Sequence, residues 1–211
     1  MDQTIKIDTF SRYTQVSRET ISSLKKYEKT LIFANKSLNL VGKSTINEIW
    51  TRHFLDSVQV IDFIDKNDKS LIDLGSGAGF PGMVLAIIAK YRKMSLKIKL
   101  IEKSSKKSKF LRSVIQNLNL NAEVVNKNIV EEPIKFIDDV FVARAFKPLK
   151  IILELMHNKA KNLKKAFIFL GKTGKDELLQ ASKNWDIKYK QRMSVTNSDS
   201  LILEIRELNK K

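Results

Sequence analysis

The sequence predicts an α/β protein: a mostly parallel, Rossmann-like sheet with helices on both faces, a C-terminal antiparallel hairpin and a helical N-terminal extension. Three observations predict it. From residue 71 onward, short apolar runs alternate with helical-period segments, the pattern of a parallel sheet with helical crossovers. Residues 71–82 read Leu-Ile-Asp-Leu-Gly-Ser-Gly-Ala-Gly-Phe-Pro-Gly: a strand, a glycine-rich turn and a helix start, the usual cradle for a nucleotide-like ligand. Residues 1–66, by contrast, carry helical spacing and no strand alternation.

In chain order, Ile21, Leu24, Tyr27, Leu31 and Ala34 mark one helix. Ile46, Ile49, Trp50, His53, Phe54 and Val58 mark a second, connected through Asn39-Leu40-Val41-Gly42. Lys66-Asn67-Asp68-Lys69-Ser70 is the expected boundary between the extension, 1–66, and the sheet domain, 67–211. Strands are expected at 71–75, 97–102, 122–126, 139–143 and 166–171, and helices at 81–92, 105–118, 148–160 and 174–183. Two extended runs, 186–193 and 201–206, flank Thr196-Asn197-Ser198-Asp199 and read as a hairpin. The whole amounts to five strand–helix units ending in an antiparallel pair.

At 211 residues the chain can bury a proper core. It has no cysteine, which removes disulfides, cysteine-based zinc sites and cysteine nucleophiles together and fits the cytosol. Charge interrupts every apolar run well before 18 residues, so no transmembrane helix is expected. The start, Met1-Asp2-Gln3-Thr4-Ile5-Lys6, lacks the pattern of a signal peptide. A monomer is expected. The formal charge of +16 points to a polyanionic partner. Of the 39 basic residues 31 are lysine, which genome composition also favours, so distribution tells more than total. Residues 90–112 hold ten basic residues against Glu102 alone, and 159–175 hold six and no acid. Such clusters hold phosphates or form a solvated face.

The chemistry concentrates around the glycines. Gly75, Gly77 and Gly79 let the backbone turn tightly and approach a ligand. A dinucleotide fingerprint would need glycine where this chain has Phe80. The Asp-x-Gly-x-Gly-x-Gly form, starting at Asp73, instead resembles motif I of class I S-adenosylmethionine-dependent methyltransferases, which makes S-adenosyl-L-methionine the expected cofactor. Asp73 either orders the turn or meets the methionine end of that cofactor through water. Glu102 ends the second strand, where an acid accepts from ribose hydroxyls; alternatively it is a surface carboxylate balancing its lysines. Arg144 follows the fourth strand at the carboxyl edge of the sheet, placed to clamp a carboxylate or phosphate, or to form a structural ion pair. No Asn/Asp-Pro-Pro-aromatic segment follows that strand, unlike in methyltransferases of exocyclic amines. Gly42-Lys43-Ser44 and Gly171-Lys172-Thr173 lack the first glycine of a phosphate loop. His53 reads as a half-buried helix residue and His157 as structural, so no metal site is expected.

Several segments together resemble the RsmG (glucose-inhibited division protein B) family of bacterial methyltransferases. They are Asn39-Leu40, Arg52-His53-Phe54-Leu55-Asp56-Ser57, the motif I block 73–82, Lys109-Phe110-Leu111-Arg112 and Arg144-Ala145-Phe146, in the family's order. The resemblance implies methylation of a guanine N7 in 16S, small-subunit ribosomal RNA, free or in the 30S particle. It implies cofactor contacts at Asp73, Gly75, Gly77, Gly79, Phe80, Glu102, Ile129, Val130 and Arg144. RNA contacts are expected at Arg52, His53, Lys106, Lys107, Arg112, Lys147 and Lys172, and Asp56 and Arg144 are candidates for a catalytic role, Asp56 because N7-methylguanosine is cationic. The chain departs from the family at Asn128 and at Val130–Glu131, and has Leu170-Gly171-Lys172 where the family tends to Leu-Lys-Gly. Two other readings stay open at this point: a methyltransferase of another substrate, and a non-catalytic RNA-binding assembly factor.

Overall fold

Seven strands form one sheet in the computed structural model, which describes residues 3–161 and 163–211. Met1 and Asp2, part of the start read for a signal peptide, lie outside the described residues, as does Asn162. The N-terminal part is helical. α1 (Gln3–Thr14) leads into α2 (Arg18–Leu38), where the Ser17 hydroxyl accepts from the Thr20 N–H and Asn39 ends the helix at φ +46°. The second predicted helix is not a plain α-helix. It comprises a 3-10 turn (Ile46–Glu48), a π-helical stretch (Ile49–Leu55) and one α turn, α3 (Asp56–Val58). A further 3-10 turn follows at Ile61–Phe63. In the widened stretch the Asp56 N–H bonds to the His53 carbonyl, and the Arg52 carbonyl turns to Arg144 instead.

β1 (Ser70–Leu74), β2 (Lys97–Ile101), β3 (Ala122–Val125), β4 (Val140–Arg144) and β5 (Lys165–Leu170) are parallel, in the order β3-β2-β1-β4-β5. β7 (Leu201–Lys210) adds antiparallel to β5, and β6 (Trp185–Met193) pairs with β7 at the edge, with a bulge at Lys188/Tyr189. The helices are α4 (Gly82–Tyr91), α5 (Ser105–Leu118), α6 (Leu149–Lys159) and α7 (Gly174–Ala181). β3 is the one parallel strand with no helix before the next, contrary to five complete units. Asn126, Asn128 and Pro133 favour turns there, and Phe136 bridges to Ala160.

Alternation along the strands builds two cores. Leu71 faces the core shared with α4, α5 and the N-terminal helices, while Ile72 and Leu74 face the core under α6 and α7. The N-terminal aromatic residues Phe10, Tyr27, Trp50 and Phe54 belong to that first core. The 61–68 segment is fastened to the sheet by Lys165. That buried side chain meets Asp68 at 2.9 Å, Asp65, and the Phe63 carbonyl. Strand order reverses between β1 and β4, and open α/β sheets bind ligands in the crevice at such a point.

Candidate active site

The chain leaves β1 through three glycines with left-handed φ: Gly75 (+71°), Gly77 (+57°) and Gly79 (+105°). Gly75 has a second reason to be glycine, since a Cβ there would lie 2.0 Å from the Phe146 ring. At Gly77 a Cβ would meet nothing nearer than the Gly75 carbonyl at 3.9 Å, so the missing side chain leaves room above the loop. Glu102 holds the loop from beneath. One carboxylate oxygen accepts from the Gly77 N–H at 2.9 Å, the other from the Ser104 N–H at 2.7 Å. Asp73 is fully buried. Its Oδ2 accepts from the Gly82 N–H at 3.0 Å and its Oδ1 has no partner. Burial, outweighing the Gly82 hydrogen bond, pushes its pKa up to about 7. Asp73 thus ties the end of β1 to the start of α4 across the glycine turn.

A cavity of about 340 Å³ lies over the loop, lined by Gly75, Gly77, Glu102, Ile129, Val130 and Phe146. Lys103, Lys107, Lys127 and Lys147 complete its walls. Five of the nine expected cofactor residues thus converge on one space. Asp73, Gly79 and Phe80 do not line it. Phe80 is buried against Tyr27, Phe54 and the His53 ring, which stacks on it at 4.8 Å. The Ile129 carbonyl accepts from Lys159 Nζ at 2.6 Å, which anchors that part of the wall.

Arg144 turns to the N-terminal segment. Its Nε meets Asp56 Oδ2 at 3.0 Å, and its Nη2 donates to the Arg52 carbonyl at 2.7 Å and to His53 Nδ1 at 3.1 Å. Its Nη1 is buried without a partner. Because a guanidinium only donates, His53 Nδ1 is an acceptor and the imidazole proton sits on Nε2, facing Thr45 Oγ1 at 3.2 Å. Desolvation first, then the charges of Arg144 and Arg52, hold the His53 pKa down to about 3, so the ring is neutral at pH 7. Asp56 Oδ1 accepts from Ser194 Oγ (3.0 Å), Thr196 Oγ1 (2.9 Å) and Gln59 Nε2 (2.9 Å). Arg144 and Asp56 line a second, smaller cleft of about 200 Å³, with Ala145, Gly171, Ser194 and Ser200.

The expected RNA residues scatter around these two spaces. Lys107 and Lys147 line the larger cavity, and Lys106 is exposed on the first turn of α5. Arg112 is exposed further along α5, with Nη2 on the Val124 carbonyl. Lys172 is exposed after β5, and Arg52 is exposed while His53 is enclosed between Phe80 and Arg144. Among the described residues, no three His, Asp or Glu side chains group closely enough to hold a metal ion. Sequence reasoning missed Tyr27, read only as core, whose hydroxyl donates to the Ala78 carbonyl at 2.6 Å inside the glycine turn. It also missed Gln59, Ser194 and Thr196; Ser194 and Thr196 are more than 130 residues from their partner Asp56, and no local spacing announces them.

A glycine turn at the switch point, a buried acid just past the next strand and an antiparallel β7 beside β5 define a class I S-adenosylmethionine-dependent methyltransferase fold. M. jannaschii TYW2 in complex with AdoMet shares that fold, with a TM-score of 0.54 over 77% of this chain and 78% of its own, at 14% identity. The family described as GidB, rRNA small subunit methyltransferase G, matches residues 20–206. Ribosomal RNA small subunit methyltransferase G of Pelagibacter ubique (strain HTCC1062) is 38% identical over 213 residues, covering 100% of both chains. The protein of the same description from Paramagnetospirillum magneticum (strain ATCC 700264 / AMB-1) is 36% identical over 195 residues, 92% of each. The chain belongs to the rRNA small subunit methyltransferase G family.

Proposed function

We propose that the protein transfers a methyl group from S-adenosyl-L-methionine to N7 of a guanine in small-subunit (16S) ribosomal RNA, in the cytoplasm and as a monomer. One observation carries the reading: a nucleoside-sized cavity over the glycine turn, with a carboxylate in its floor, opens among Lys103, Lys107, Lys127 and Lys147. A second substrate entering beside the cofactor there meets cations on several sides, which suits a polyanion. Helix α5 supports it. The first turns of α5 carry Lys106, Lys107 and Lys109 and no acid, against the helix dipole, which disfavours cations there by about 0.3–1 kcal/mol each. A bound phosphate chain would reverse that penalty.

The lining suits the cofactor. The glycine backbone leaves room that a Cβ would fill. Each Glu102 oxygen accepts one backbone N–H and keeps a lone pair for a ribose hydroxyl. Ile129 and Val130 offer apolar surface for the adenine. When bound, S-adenosylmethionine supplies an electrophilic methyl group on its sulfonium sulfur.

Guanine N7 carries a lone pair and no proton, so the reaction needs no general base. The residues present agree with that requirement. His53 is neutral with Nδ1 already accepting from Arg144, and Asp56 takes hydrogen bonds from Arg144, Ser194, Thr196 and Gln59. Asp56 acts by holding Arg144 and the β6–β7 loop, not by moving a proton. Catalysis is then orientation and exclusion of water, worth about 7–11 kcal/mol at best. The test is to incubate the protein with labelled S-adenosylmethionine and either unmodified small subunits, naked ribosomal RNA or bulk protein. Label at guanine N7 of the RNA supports the reading. Label elsewhere, or tight RNA binding without label, overturns it.

A further inference from the structure

We infer that Asn126 is a positioning residue for cofactor binding, which aims the Glu102 carboxylate through backbone carbonyls and does not itself reach the ligand. The inference rests on the reading of Glu102 as acceptor of the ribose hydroxyls and adds what aims that acid. Place is the first argument. β2 and β3 pair in register up to Ile101 and Val125, and the Glu102 N–H still donates to the Val125 carbonyl at 3.2 Å. Asn126 comes next after β3. Glu102 and Lys103 line the cavity over the glycine turn, and Asn126 stands behind them.

The amide itself is the second. Its Nδ2 donates to the Glu102 carbonyl at 2.8 Å and to the Lys103 carbonyl at 3.0 Å, while Oδ1 accepts from Ser105 Oγ at 3.0 Å. Carbonyls only accept, so these partners require this orientation of the amide. Residues 102–104 turn the chain from β2 into α5, and one side chain thus holds two of the carbonyls in that turn. Ser108 Oγ takes the other lone pair of the Glu102 carbonyl at 3.2 Å. With its N–H and carbonyl both fixed, Glu102 sends its side chain back under the glycine turn, to the Gly77 and Ser104 N–H groups. Hydrogen bonds weaken steeply with misalignment, so a shift of this backbone weakens the ribose contact first.

Two variants test this. Asn126→Asp keeps the shape and the acceptor for Ser105 Oγ but sets an anion against two carbonyl oxygens. Asn126→Ala removes the donors without adding charge, and carries the test alone if the aspartate variant does not fold. The ribose is remote from the transferred methyl, so its contact is lost equally from ground and transition states. Each variant should therefore raise the Kd for S-adenosylhomocysteine and the KM for S-adenosylmethionine about tenfold, with kcat within about threefold of wild type. The signature lies in the ribose. Wild type should prefer S-adenosylhomocysteine to its 2′-deoxy and 3′-deoxy analogues, and the variants should lose most of that preference. A residue that only supports the fold would weaken all three ligands alike. That uniform loss would overturn the inference while leaving the reading of Glu102 intact, and so would variants whose Kd stays within roughly twofold of wild type. A wild type that binds all three ligands alike overturns it differently, by removing the reading of Glu102 on which it rests.

Discussion

Gly75 and Gly77 look equivalent in the sequence and are not equivalent in space. Both have left-handed φ, so alanine at either costs about 1–2 kcal/mol of backbone strain. Only at Gly75 does the added Cβ also strike the Phe146 ring. Gly75→Ala should therefore lower stability and S-adenosylhomocysteine affinity well beyond Gly77→Ala, a difference that chemical denaturation and calorimetric titration would measure. Equal losses would mean that Phe146 moves freely. Asp73 makes a prediction in pH. Its folded pKa of about 7 lies above the ordinary 3.8, so the stability it contributes is fully present below about 3.8 and is lost as pH rises through 7. Asp73→Asn keeps an acceptor for the Gly82 N–H and carries no charge. Its melting temperature should rise relative to wild type between pH 5 and pH 8.5, and a gap constant with pH would refute the buried, raised carboxyl. The glycine turn was legible in the sequence because its φ values demand glycine directly after the first strand, and the place of Glu102 because it is an acid at the end of the second. Arg144 was legible as a residue of the crevice, but its ion pair with Asp56 was only one of the alternatives, because residue spacing carries no information about which way a long side chain turns.

Elements were more legible than contacts. The strands fall within a residue or two of expectation up to β5, because their apolar runs are bounded by charge and turns. β7 runs to Lys210, past the expected 206, because Glu207, Asn209 and Lys210 pair with β6 without the apolar alternation that marks a strand. The π-helical stretch was not legible at all. Ile49, Trp50, His53 and Phe54 fit an α-helical period, and the widening is tied to a distant guanidinium on the Arg52 carbonyl. α2 shows how an element outside the sheet governs the site: its buried Tyr27 hydroxyl caps the Ala78 carbonyl within the glycine turn. Tyr27→Phe leaves that carbonyl short of a donor and should cost about 1–3 kcal/mol, with weaker S-adenosylhomocysteine binding. Tyr91→Phe, which loses only a part-buried contact with Ser23, is the comparison and should leave cofactor binding unchanged. If both variants bind alike, α2 does not hold the turn.

At the scale of the molecule, charge and core have to be weighed together. The N-terminal helices share one apolar core with α4, α5 and the near face of the sheet, so the 1–66 and 67–211 segments are expected to unfold in a single transition. A sheet domain expressed alone would uncover the faces of α4 and α5 against which α2 packs. The charge of +16 is a different matter. If the lysines around the cavity mouth neutralise phosphates, RNA binding releases counterions, and log K falls with log salt in proportion to the phosphates contacted. Replacing Lys103, Lys107 and Lys147 together by glutamine should reduce that slope by about 2–3, since each phosphate-contacting lysine accounts for roughly one unit. Three glutamines at Lys29, Lys36 and Lys43, on the N-terminal segment away from the cavity, lower the net charge equally and should leave the slope nearly intact. The two triple variants therefore separate a directed phosphate track from charge that is merely abundant. Equal slopes in both would mean that the lysine-rich composition binds RNA without a preferred face, and that the ring of lysines does not steer the substrate to the glycine turn.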